Sequence, residues 1–527
     1  MRKDLDVAEE VKIFRQLRFE YNRFAYPNPS PVLLPRPCPF SLPTRLSENG
    51  TSKSALYEAI GKEFETLAAL PPESGEWKCP TVTFGRTGLK MPIITCGGMR
   101  QQQTWKPKEG MTLEDVDADC QANYKAILER AMSLGINHLE TAKGYGCSEL
   151  QMGPLLKAYP RESFILQTKV VPSADPAVFR QGLEASFAKL QVEYLDLFAF
   201  HGVNRPQELE WVLREGGCME VVEEYRAAGK IRWVGFSSHG HASTIYEAIS
   251  SNKFDYVNLH WHLVGSYHAS GTWQAEGGDH GNKACLEKAK ELNMGCFIIS
   301  GADKAGMLYK PSTTFASVCA KHKLSPQELG HLFLWQSGLM HTVVCGAARP
   351  SDFDEACNAA KKLGVADIEP ALKELHQLMV DAHGEEWLQS WWKGLPGCYE
   401  SPNGVFIPHI VWCYNLVKAW GLLDFARARY GTLEGNLKGF KPDLTEEENV
   451  NAINSFIPGT PYQPELRERL VEALAGTPHA EEVMRCVLEA HKWLRGDRTA
   501  EEVAQDQPGW RPAYDLQADT PFPERGT

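Results

Sequence analysis

The chain has 527 residues, 43% apolar and 23% charged, a balance that fits a globular protein in water and a length too great for one ordinary core. Lys and Arg number 55 against 67 Asp and Glu, a net charge of −12, and no run of five like charges occurs; this argues against a general nucleic-acid surface. No stretch approaches the roughly 18 consecutive apolar residues of a membrane span, and Asp4, Asp6, Glu9 and Glu10 speak against a secretory or transit leader, so the expected location is cytoplasmic.

In chain order, residues 1–78 read as an N-terminal extension: two amphipathic helical patches, 7–21 and 54–70, joined by a connector rich in proline from Pro27 to Pro39. Residues 81–84 and 89–91 flank a glycine turn and predict a hairpin. Eight short apolar runs follow, at 93–96, 136–139, 164–167, 195–200, 231–236, 256–259, 296–299 and 342–345. Helical patterns lie between most of them, including 122–134, 177–190, 209–227 and 327–337. Eight strands alternating with helices over residues 79–365 predict an α/β fold, a (β/α)8 TIM barrel with the hairpin plugging its bottom. Residues 366–527 lack the alternation and predict a C-terminal α-helical domain, with helices at 370–392, 407–430, 446–456, 464–475 and 480–494. The 14 cysteines are never closer than eleven residues apart, so no C-x-x-C pair exists, and free thiols in a reducing compartment are expected.

In such a barrel the active site lies at the C-terminal ends of the strands. The second run ends at Glu140, with Tyr145 five residues further on; the third ends at Lys169 and the fourth at His201. A tyrosine with a pKa of about 10 is a general acid near neutral pH only if its acidity is raised, and an adjacent cation does that. Lys169 is the expected cation, with Glu140 pairing it so that no isolated charge is buried. His201 would orient a carbonyl oxygen. Hydride addition to an aldehyde or ketone is the reaction that uses a tyrosine acid without a metal.

Residues 79–365 resemble the aldo-keto reductases. The likeness rests on the hairpin followed by Gly97-Gly98-Met99, on the stretch from Gly135 to Glu149, on Gln167-Thr168-Lys169, on Asp196-Leu197 through His201, on the stretch from Gly229 to Ser237, and on Gly346 to Arg349. The resemblance implies NADPH-dependent reduction of a small-molecule carbonyl substrate, with Tyr145 as acid, Lys169 tuning it and His201 positioning substrate. Glu140 stands where the family usually has Asp. By the same resemblance Gly98, Met99, Ser237, Ser238 and Asn258 would meet the coenzyme, although Leu259 replaces a usual Gln. Ser300, Gly301, Lys304 and Gly306 form a loop suited to a pyrophosphate, and Arg349, opening a helix, would pair a 2′-phosphate and favour NADPH over NADH.

The segment from Gly394 to Cys398, with Ile407-Pro408 and Tyr414 to Gly421, resembles the tail of a reductase subgroup carrying a ferredoxin-like iron–sulfur module. Only Cys398 and Cys413 remain here, too few for four thiolates, so no iron–sulfur cluster is expected. His239, His241, His260 and His262 suggest substrate contacts more than a metal site, with His268 and His280 in a following loop. Trp105, Trp261 and residues 265–281 read either as a lid or as surface loop. The N-terminal arm and the C-terminal helices are the candidate surfaces for a protein partner or self-association; no nucleic acid or membrane partner is expected. Two other readings stay open: a non-catalytic NADPH-binding sensor or scaffold, and a Schiff-base aldolase using Lys169.

Overall fold

The computed structural model describes residues 77–265, 281–301, 311–453 and 457–496. The expectations for residues 1–76, most of the 265–281 loop, Lys304, Gly306 and the tail lie outside the described residues. Strands β1 (Thr81–Thr83) and β2 (Lys90–Pro92) pair antiparallel as the predicted hairpin. The eight apolar runs become β3 (Ile94–Gly97), β4 (His138–Glu140), β5 (Ile165–Val170), β6 (Leu195–His201), β7 (Ile231–Ser237), β8 (Tyr256–His260), β9 (Gly295–Ile299) and β10 (Thr342–Cys345). They form a closed barrel of parallel strands, β10 returning to β3 with Val343 opposite Ile94. Such strands are buried on both faces, which is why they read as continuous apolar runs rather than alternating ones.

The barrel is filled, not hollow. At its lower end Phe84, from the hairpin turn, packs with Met91, Ile165, Leu197, Ala199, Tyr256 and Phe297. Above it lies a polar layer in which Thr95 Oγ1 sits 2.7 Å from His138 Nδ1 and 2.8 Å from Thr342 Oγ1. Asp196, an acid within an apolar strand, accepts from Arg161 at 2.6 Å, Arg232 at 2.8 Å and the Leu166 N–H at 2.9 Å. It ties β5, β6 and β7 together, which explains its presence there without a catalytic role.

Outside the ring, several predicted helices divide. The 209–227 pattern becomes Pro206–Leu213 and Cys218–Ala227. The 370–392 pattern becomes Glu369–His383 and Glu385–Ser390, and 407–430 lies across Ile407–Trp420 and Leu423–Lys438. The breaks fall at Gly384 and Gly421, where φ is +80° and +68°, values a helix cannot continue through. Apolar periodicity alone runs on past a single glycine, so the expected helices were too long. Ile407–Trp420 is buried on nearly every side. Its Trp412 indole donates to the Val264 carbonyl at 2.7 Å, and Arg205 donates to the Asn451 carbonyl at 2.8 Å, seating the helical region on loops at the upper end of the barrel. No helix among the described residues is long and apolar enough to cross a membrane.

Candidate active site

At the upper end of β4 to β6 the four expected residues meet. Glu140 and Lys169 are buried and ion-paired, and Lys169 Nζ also donates to the Thr141 carbonyl at 2.8 Å. The Tyr145 hydroxyl lies 3.2 Å from Lys169 Nζ and 3.3 Å from Glu140 Oε1. His201 stands edge-on to the Tyr145 ring, centroids 5.5 Å apart. The strands position three of these groups, and alternation along β4 and β5 turns Glu140 and Lys169 inward.

Tyr145 itself is held by a clasp between two loops. Cys147 N donates to the Thr104 carbonyl, 3.2 Å, while Thr104 N donates to Cys147 Sγ, 3.4 Å. Gly146 between them has φ +56°, and a Cβ there would lie 1.9 Å from the Thr104 carbonyl oxygen. The clasp places Trp105, exposed, edge-on to Tyr145 at 6.3 Å.

The electrostatics depart from expectation. Burial, and then the Glu140 charge and hydrogen bond, push the Tyr145 phenol well above its ordinary value, while Arg100 pulls weakly the other way. The carboxylate that holds the Lys169 ammonium also accepts the Tyr145 hydroxyl hydrogen, so burial and Glu140 outweigh the acidifying pull of the lysine. Burial lowers the Lys169 pKa, opposed by Glu140. Neither Arg100 nor this shared carboxylate was legible from residue spacing; the Gly98-Met99-Arg100 stretch after the first strand was the available signal for the arginine.

Asn258 is fully buried on β8, in register with Ser237 on β7, and neither atom of its side-chain amide has a protein partner. That makes it an orphaned donor and acceptor on the barrel wall, the chemistry a carboxamide would satisfy. The Ser237 hydroxyl accepts from Gly202 N at 3.2 Å, and Ser238 donates to the Val203 carbonyl at 2.7 Å, so both shape the loop after β6. A Cβ at Gly98 would lie 2.8 Å from the Glu140 carbonyl, and Met99 follows half-buried at the rim. Ser300 has φ +56° and Gly301 packs against Val343, bringing bare backbone to the ends of β9 and β10.

Other expectations change. Arg349 opens a 3-10 turn, Pro350–Phe353, rather than an α-helix, and its Nε donates to Asp352 Oδ1 at 2.8 Å. Leu259 packs in the apolar layer outside the ring. Trp261 is buried against Phe333, centroids 5.0 Å, as core rather than lid. His241 caps the helix Ala242–Ser250, and His239 and His260 contact one another, centroids 4.4 Å. No group of three metal-ligating side chains occurs among the described residues.

The family model described as the aldo/keto reductase family matches residues 94–370. The NADH-specific methylglyoxal reductase of Escherichia coli (strain K12) is 27% identical over 169 residues, 28% of this chain and 50% of that protein. Aldo-keto reductase family 1 member A1 of Cricetulus griseus is 32% identical over 123 residues, 22% of this chain and 32% of that protein. The aligned segments thus span half or less of these relatives. A crystal structure of an aldo-keto reductase from Klebsiella pneumoniae in complex with NADPH is similar with 20% identity and a TM-score of 0.42, covering 56% of this chain and 95% of that one. With eight parallel strands closed into a ring and a family match over more than half its length, the chain belongs to the aldo/keto reductase family.

Proposed function

We propose that this protein reduces an aldehyde or ketone to an alcohol with NADPH, Tyr145 serving as the general acid. The observation that carries this reading is the convergence of Tyr145, Lys169, Glu140 and His201 on one barrel rim, in a barrel whose β8 also carries the orphaned amide of Asn258. When bound, a nicotinamide coenzyme supplies the hydride that adds to the carbonyl carbon. Asn258 would pair its carboxamide, with Ser237, Ser238, Gly98 and Met99 around it. Ser300, Gly301, Lys304 and Gly306 would take the pyrophosphate, and Arg349 the 2′-phosphate. Tyr145 gives its hydroxyl proton to the carbonyl oxygen, His201 orients that oxygen, and Trp105 forms one wall of the entrance.

In this reading residues 79–365 are the catalytic unit, 1–78 an extension, and 366–527 a helical unit related to the ferredoxin-like tail without its cluster. Only Cys398 and Cys413 stand near that segment, too few for a cluster held by four thiolates. Iron and labile sulfide assays on purified protein should therefore find neither. The aldolase reading is disfavoured because Lys169 Nζ is engaged with a carboxylate, a carbonyl and a hydroxyl, leaving it poorly placed as a nucleophile.

Two measurements test the proposal. NADPH titration followed by intrinsic fluorescence should saturate more tightly than NADH, with the difference reduced in Arg349→Ala. Tyr145→Phe should lower kcat across an aldehyde and ketone panel by about 10²- to 10⁴-fold, the usual contribution of a general acid, with NADPH affinity kept. Unchanged turnover in that variant would remove Tyr145 from the mechanism.

A further inference from the structure

Tyr145 offers one proton, and two groups of opposite charge compete to decide how firmly it is held. Lys169 Nζ, 3.2 Å from the phenol oxygen, favours the phenolate; Glu140 Oε1, 3.3 Å away, accepts the proton and favours the phenol. The contest is unequal because the ammonium is itself ion-paired to that same Glu140 oxygen. Both Glu140 and Lys169 are buried, so neither interaction is screened by water. An aspartate, shorter by one bond of about 1.5 Å, could still hold the lysine but would draw its carboxylate back from the phenol.

We propose that Glu140 acts as a positioning residue that sets the acidity of Tyr145, its longer side chain keeping the phenol loaded with its proton across the working pH range. This inference rests on the reading of Tyr145 as the proton donor. Reduction consumes the phenol proton, so a phenol protonated at all working pH values is always ready. The reverse reaction, alcohol oxidation, needs the phenolate to accept the hydroxyl proton while a hydride leaves the carbinol carbon. A phenolate beside the Glu140 carboxylate is disfavoured by like charge. Oxidation with NADP should therefore climb tenfold per pH unit up to high pH, while reduction stays flat.

The direct test is titration of the Tyr145 phenol by 13C NMR of protein labelled at tyrosine Cζ, without coenzyme, its resonance identified among the 17 tyrosines by its loss in Tyr145→Phe. In the natural protein the resonance should not move up to pH 10. In Glu140→Asp it should begin to move at least one pH unit lower, a tenfold gain in acidity. Glu140→Gln, which keeps the length and removes the charge, should shift in the same direction and decides the matter if the aspartate variant does not fold, as judged by circular dichroism and melting. A phenol that titrates at or below pH 10 in the natural protein, or at the same pH in the folded variants, overturns the proposal. The pH dependence of alcohol oxidation should level off earlier in Glu140→Asp than in the natural enzyme, and superimposable profiles count against it. Failure of the functional reading is seen separately: Tyr145→Phe would then retain turnover whatever the phenol does on titration.

Discussion

Asn258 is an expensive residue to keep where it is. A buried amide without partners costs about 1–3 kcal/mol relative to an apolar group of the same shape. Asn258→Leu should therefore match or exceed the natural protein in thermal stability while losing at least tenfold in NADPH affinity; melting and fluorescence titration check the two halves. A variant less stable and equally tight in binding would make the asparagine a structural residue. The residue scale also shows how far spacing carries. Glu140, Tyr145, Lys169 and His201 were legible because each stands at or just beyond a strand end, where barrel geometry leaves polar groups at the rim. The acidity of Tyr145 was not, because it depends on where one methylene of Glu140 puts a carboxylate. Nor was the Asp352 partner of Arg349, an i, i+3 pairing across the start of the 3-10 turn.

The clasp between the loops after β3 and β4 is where an element, not a residue, fixes the chemistry. Gly146 is left-handed and sits hard against the Thr104 carbonyl, so no side chain fits without moving Tyr145 or Trp105. Gly146→Ala should lower kcat by about 100-fold, since a displacement on the order of 1 Å at a reacting group has that effect, and should lower the melting temperature as well. Gly110→Ala is the control: φ is +69° there but nothing lies within 4 Å, so it should cost stability alone. Steady-state kinetics and melting of the two variants separate strain from misplacement. Elements also explain which helices were readable. Ala480–Leu494 agrees with its expected bounds because its apolar stripe ends where the helix does, whereas the patterns through Gly384 and Gly421 continue into a second helix.

For the whole molecule, the readable part was the strand alternation, and the unreadable part was how the helical region seats on the barrel through single contacts such as Trp412 to Val264. Such contacts join residues far apart in sequence and leave no periodic trace. The buried histidines set the response to acid. His138, inside the barrel, is lowered to about 3 by burial and the nearby Lys169 charge, and His331 to about 4 by burial. Their folded values lie below the ordinary 6.5, so the unfolded chain takes up protons first and stability falls as pH drops from about 6.5 toward 4. Each contributes a slope of up to roughly 1.4 kcal/mol per pH unit. His331→Gln should flatten the pH dependence of unfolding by about that amount between pH 4 and 6, measured by urea denaturation at several pH values; an unchanged slope would show the ring already charged in the folded state.

The pairing of Val343 with Ile94 closes the ring with the last strand meeting the first. On a ribosome, strands β3 to β9 are complete before Thr342 emerges, and until then the sheet has two bare edges with backbone groups seeking partners. The stage at which this protein is most exposed to aggregation is therefore its own synthesis, and a slow stretch of translation just ahead of Thr342 would lengthen that exposure.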